Sequence, residues 1–291
     1  MAWLLVQRSL TPPEVEPVQR AFQSTGIFHV LDAVSFVKDA FGVLAKGLND
    51  YQAQQLQNAL AVQGVEVDVV DEAEWPALPP AKRIVRASCW AEGFEPLDPV
   101  GRPLSVPWTE IVAVSAGLVR REEFGNREVG GVQPLSGETH AFLDVAATTW
   151  DLAQGRIESV LVESLFPGDR DTEPLPKPTS LALSREERQW RWTAEVILAG
   201  GLRFIWQAHE FHYAHLGDRV SRDPAANFAL FLRDLLSAVP HAALNRGAFA
   251  LRENQPETAP RYPTRNAFAE ETQWLLWRLR RAGRYSPAAD A

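Results

Sequence analysis

The chain has 291 residues, enough for about two domains at roughly 100–200 residues each. Apolar residues make up 46% and charged residues 23%, a balance that excludes wholly disordered and fibrous chains. The net charge of -8 is uneven: residues 1–80 carry -6, residues 81–180 carry -5, and only residues 181–291 are positive, at +3. Phosphate backbones need concentrated positive potential, so nucleic acid is not expected as a partner of most of the chain. No apolar run approaches the ~18–20 residues that span a bilayer, so a membrane is not expected either.

The opening Met-Ala-Trp-Leu-Leu-Val run is too short for a signal-peptide core and reads as a first strand, Trp3 to Gln7. Thr11-Pro-Pro-Glu14 has the pattern of a capping box, with Val15, Val18, Ala21 and Phe22 following at helical spacing and Gly26 as the stop. Asp32 is placed to cap a second helix, and Gly42 to Leu48 reads as a strand. Asn49-Asp-Tyr-Gln52 predicts a second capping box for a helix buried through Ala53, Leu56, Ala59 and Leu60, which stops at Gly64. Val65 to Val70 alternates with period two, as a strand with one buried face does. The predicted order is strand–helix–helix–strand–helix–strand.

Gly47-Leu-Asn-Asp, Gln54-Gln-Leu-Gln-Asn-Ala-Leu, Gly64 and Val65-Glu-Val together resemble the C-terminal domain of the bacterial ribosomal stalk protein over Leu31 to Val70. The resemblance implies a ClpS-like α/β sandwich. That domain binds translation factors through lysine-bearing helices. The corresponding helices here carry Val18-Gln-Arg20 and Val34-Ser-Phe-Val-Lys38, so its factor-binding residues do not carry over.

Trp75-Pro76 and Pro79-Pro80 mark a linker. Strands are predicted beyond it at Ile84–Trp90, Arg102–Val106, Ile111–Val119, His140–Thr149, Ile157–Leu165, Trp190–Leu198 and Leu202–Ala208, with Gly200-Gly201 turning the last pair. Asp223-Pro224 opens an amphipathic helix through Phe228, Phe231, Leu232, Leu235, Leu236 and Val239. Asp98-Pro-Val-Gly-Arg-Pro-Leu-Ser-Val-Pro-Trp108-Thr-Glu-Ile111 is similar to a hairpin of bacterial pleckstrin-homology-like domains, which implies a β-barrel closed by a C-terminal helix. A final helix runs from about Asn266 to Arg281, with Glu270 and Glu271 near its start and arginines at its end. Two long loops remain, at Arg121–Glu138 and Pro167–Ser184. The expected fold class is α+β: an α/β sandwich over 1–75, a pleckstrin-homology-like β-barrel with its closing helix over 82–240, and a helical tail over 241–291.

His209, His212 and His215 recur every three residues. On a helix they would suit a metal, in a metal-dependent hydrolase. The zinc-protease spacing of i and i+4 is absent, and the segment reads as extended, which separates the three rings. Packed or solvated histidines are the preferred reading there and at His140 and His241. Cys89, the single cysteine, reads as a buried inert thiol in a reducing compartment, and the cytoplasm is the expected location. No nucleophile elbow, P-loop or dinucleotide fingerprint occurs, and Asp169-Arg-Asp-Thr-Glu173 lacks the glycine and closing Glu of a calcium loop, so no cofactor is expected.

Trp274-Leu-Leu-Trp277 covers more than one helical stripe. Its helix either buries two faces within the chain, the preferred reading, or offers Trp274 and Trp277 to a partner. Its basic end, Arg278 to Arg284, allows a third use, contact with anionic lipid or nucleic acid. The expected function is a non-catalytic interaction or scaffold module of a bacterial cytoplasm, with another protein or a second copy as partner. This leans against an enzyme.

Overall fold

The computed structural model describes residues 1–120 and 190–286. Every described residue belongs to one compact unit. The strands expected at His140–Thr149 and Ile157–Leu165, both long loops, the acidic run from Asp169 to Glu173, and His140 lie outside the described residues.

The chain opens with β1 (Trp3–Gln7), α1 (Val15–Thr25), α2 (Ala33–Lys38), β2 (Val43–Leu48), α3 (Asp50–Val62) and β3 (Val67–Asp71), in the order expected. The strands form one antiparallel sheet, β2-β1-β3. Leu5 faces Val18, Phe22, Leu56 and Leu60, while Leu4 and Val6 face the other way, toward Trp274, Leu275 and Trp277. A strand covered on both faces reads as a continuous apolar run, which is why Leu4, Leu5 and Val6 do not alternate with polar residues.

The Asn49 box forms in both directions: Gln52 N–H donates to Asn49 Oδ1 at 2.9 Å and Asn49 N–H to Gln52 Oε1 at 3.1 Å. The box expected at Thr11 does not form. Helix α1 starts at Val15, and its N-cap, Glu14, makes no side-chain cap. The Thr11 N–H that such a box would give to Glu14 donates instead to Ser9 Oγ at 3.2 Å. Asp32 also makes no cap; His29 instead accepts the Leu31 N–H.

The strand expected over Ile84–Trp90 is present from Arg86, and a further strand that was not expected precedes it. β4 (Ala81–Arg83) joins a large sheet with β8 (Ile111–Arg120), β9 (Trp190–Leu198) and β10 (Arg203–Gln207). β5 (Arg86–Trp90), β6 (Gly93–Leu97) and β7 (Val106–Pro107) form a separate small sheet. α4 (Pro224–Ala238) follows, with Asp223 capping it through Ala225 N–H at 2.9 Å. Then come β11 (Ala243–Leu244), α5 (Arg246–Arg252), β12 (Arg261–Tyr262) and α6 (Arg265–Arg281). The large sheet runs β11-β8-β9-β10-β4, with β12 also pairing to β8.

The expected barrel is corrected: among the described residues this sheet is open. Its central strand pair, β8 and β9, is buried on both faces. Val114, Ala116, Ala194 and Val196 pack under Phe228, Phe231 and Leu235 of α4, whereas Ala113 and Ile197 pack under Leu276 and Leu279 of α6. A sheet that buries both faces needs a layer on each, and helices supply them where a closed barrel would cover one face with its own far wall. The class is α+β, as expected.

The last helix therefore lies between two sheets. Trp274 and Trp277 look onto β1 and β3 of the first sheet, and Leu276 and Leu279 onto β8 and β9 of the second.

Candidate functional site

The three histidines of the 209–215 run do not converge. The segment is a turn followed by a 3-10 helix, Ala214–Arg219, where extended structure was expected. The His209 ring lies 3.7 Å from Glu210, and the backbone of His212 bonds the Val85 carbonyl at 2.8 Å. The His215 ring lies 4.5 Å from Phe231, and burial lowers its pKa. Among the described residues, no three His, Cys, Asp or Glu side chains gather as metal ligands do.

Cys89 is exposed, a correction to the buried reading: β5 is the edge of the small sheet and packs only through Ala87. Its thiol is nonetheless pushed up to about 11, by desolvation first and by Asp234 second, so little thiolate exists at neutral pH.

Trp274 and Trp277 are 8% and 6% exposed. The Trp274 indole N–H donates to the Gln7 carbonyl at 2.6 Å, and the Trp277 ring lies 6.0 Å from that of Trp75. This chain's own first sheet covers both.

Two buried polar groupings escaped the sequence reading. In the first, Asn245 Oδ1 accepts from Ala116 N–H and Ala248 N–H, both at 2.8 Å. Its Nδ2 donates to the Ala116 carbonyl and to the Tyr262 hydroxyl. Glu271, fully buried, accepts three bonds from Arg246. Burial, then the Glu271 charge, hold the Tyr262 phenol well above its ordinary value. This network ties β8, α5, β12 and α6 together and leaves no group idle for chemistry.

In the second, Glu195 of β9 is 2% exposed, with Oε1 3.3 Å from Arg203. Its Oε2 has no hydrogen-bond partner among the described residues. Burial raises this carboxyl to about 7, against the pull of Arg203 and Arg265.

Two hollows among the described residues lie elsewhere, along the seam between β3 and the end of α6. One hollow, of about 380 Å³, is lined by Arg8, Asp68, Arg278, Arg281 and Ala282. Another, of about 470 Å³, is lined by Gln54, Gln57, Asp68–Val70, Glu74, Trp277 and Arg281. Asp68 and Arg281 belong to both.

The Asp68 carboxylate clamps two guanidiniums, accepting from Arg8 Nε at 2.9 Å and from Arg281 Nη1 at 2.7 Å. That hydrogen bond and the Asp68 charge raise the pKa of Arg8. Arg278 donates to the Arg8 carbonyl at 3.0 Å and lies over the Trp274 ring, and Arg281 lies over Trp277. The buried tryptophans thus act as platforms for exposed arginines.

The basic end of the last helix was visible in the sequence. Arg8 was not, because it reaches the site only through the β1–β3 pairing that sets Val6 opposite Asp68. No helix among the described residues is long and apolar enough to cross a membrane. Compared with protein-family models, with curated proteins and with solved structures, the chain matches none.

Proposed function

We propose that the chain is a non-catalytic interaction module and that its working surface is the seam between β3 and α6. The observation that carries this reading is the pair of hollows meeting at the Asp68–Arg281 bridge. Guanidiniums, carboxylates, side-chain amides and an indole edge line them. These groups recognise a partner by charge and hydrogen bonding. Neither hollow brings a nucleophile to a base, which acyl or phosphoryl transfer would require. The strand–helix–helix–strand–helix–strand order of residues 1–75 agrees with the ribosomal-stalk-like sandwich we propose for it, a fold that serves as a binding platform.

The test is site-specific crosslinking in producing cells. A photo-reactive residue at Gln54 yields a discrete adduct, one at Arg252 outside both hollows does not, and Arg281→Glu abolishes the Gln54 adduct. An adduct of twice the chain's mass identifies a second copy as the partner. Equal labelling from both positions, or none from Gln54, refutes the reading. Stoichiometric zinc lost on His209→Ala or His212→Ala would replace it with the metal-dependent hydrolase.

A further inference from the structure

We propose that the hollow bounded by Arg8, Arg278 and Arg281 binds one phosphoryl group, carried on a peptide with basic residues on either side of it. The inference rests on the seam being the working surface, and adds the ligand.

Three guanidiniums from two distant parts of the chain meet there, and each is fixed by something other than a ligand. Arg8 and Arg281 are held by the two oxygens of Asp68, while Arg278 is held by the Arg8 carbonyl and the Trp274 ring. A guanidinium has five N–H donors, and these hydrogen bonds use one of each. The arginine side chains remain about half exposed, at 52% for Arg8 and 60% for Arg281. Donors fixed in advance bind a tetrahedral oxyanion without the cost of ordering long side chains. The negative end of the α6 dipole is muted, because Ala282, Gly283 and Arg284 N–H groups cap the carbonyls of Arg278, Arg280 and Leu279.

Charge around the hollow selects the carrier. Asp68 lies inside it, and Glu66 sits 3.9 Å from Arg8. Asp71, Glu72 and Glu74 follow along β3 and its exit turn, in a segment whose net charge over residues 1–80 is -6. A nucleic acid or an anionic membrane presents negative charge over a broad face and would meet these carboxylates. One phosphoryl group on a peptide meets three arginines against the single Asp68 carboxylate, and lysines beside it face the remaining acids.

The test uses the full chain and fluorescence anisotropy. The probe is a twelve-residue peptide with a central phosphoserine flanked by lysines, and its serine counterpart is the control. The phosphopeptide binds at least about tenfold more tightly, Arg278→Gln removes most of that difference, and Arg252→Gln leaves it. Equal binding of the two peptides to the wild-type chain overturns the inference whatever the variants do. Tighter binding of single-stranded DNA or of phosphatidylserine vesicles reassigns the surface to a polyanion and also overturns it. Inorganic phosphate binding as tightly as the phosphopeptide removes the peptide from the proposal. If the two peptides bind alike while the Gln54 adduct persists, only the ligand is wrong; if the adduct is missing too, the seam itself is not the working surface.

Discussion

Gly42 makes room for Trp274: a β-carbon on Gly42 would fall 2.6 Å from the Trp274 β-carbon. Gly42 also has φ of 101°, in the region L side chains avoid. This is where the last helix comes down on the first sheet. Gly42→Ala combines backbone strain with overpacking and is expected to cost about 2–5 kcal/mol. Gly26→Ala, with φ of 65° and nothing within 4 Å, has only the strain and is expected to cost about 1–2 kcal/mol. Urea denaturation of the two variants checks the ordering, and equal losses contradict the account.

Trp274→Ala is expected to lower stability by about 3–5 kcal/mol, as large-to-small changes in cores do. Trp274→Phe keeps most of the packing and loses the bond to the Gln7 carbonyl, for about 1–2 kcal/mol. Light scattering should show the same mass for both variants and for the wild type. A mass change without a stability change would mean that the indole faces another molecule.

Asn245→Ala strands three buried groups, the Ala116 N–H and carbonyl and the Ala248 N–H, and takes one of its partners from the Tyr262 hydroxyl. At about 1–3 kcal/mol for each group left unpaired, a loss of at least about 3 kcal/mol is expected. Thermal melting measures it, and a loss under about 1 kcal/mol would mean that water repairs the site.

Glu195 predicts a pH dependence. Its carboxyl titrates near 7 when folded, against an ordinary value of 4.5, so the folded chain holds the extra proton between those limits. Raised affinity for a proton in the folded state means that its stability contribution is complete below about 4.5 and lost as pH rises through about 7. At 1.36 kcal/mol per unit the loss is about 3 kcal/mol. Glu270, raised chiefly by burial, acts in the same direction. The expected result is that Glu195→Gln flattens the decline in unfolding free energy between pH 5 and 7.5. An unchanged slope would show that the buried carboxylate is already charged beside Arg203.

What the sequence made legible was local. The Asn49–Gln52 box, the Asp223–Pro224 start and the strand from Trp190 to Leu198 depend on neighbours a few residues away. The apolar run at 274–277 showed that its helix has too much greasy surface for one stripe, yet nothing nearby in sequence said that β1 and β8 supply the walls. Glu271 read as a first-turn acid serving the helix dipole. Its real partner, Arg246, is 25 residues upstream and shares its burial. Glu195 carried a signal in retrospect: it is the one acid inside Trp190-Arg-Trp-Thr-Ala-Glu-Val-Ile-Leu198, with Ala194 and Val196 adjoining it. The barrel expectation failed because alternation shows that a strand is buried on a face but not whether a strand or a helix buries it.

The bond from Trp274 to Gln7 spans 267 positions of the chain. During synthesis, at roughly 5–20 residues per second, Leu4 and Val6 emerge tens of seconds before their cover is made. For that interval the nascent first sheet offers a bare greasy side to whatever is nearby. Early termination before residue 265 would make the exposure permanent, so fragments of this protein should be the species that chaperones retain and proteases clear.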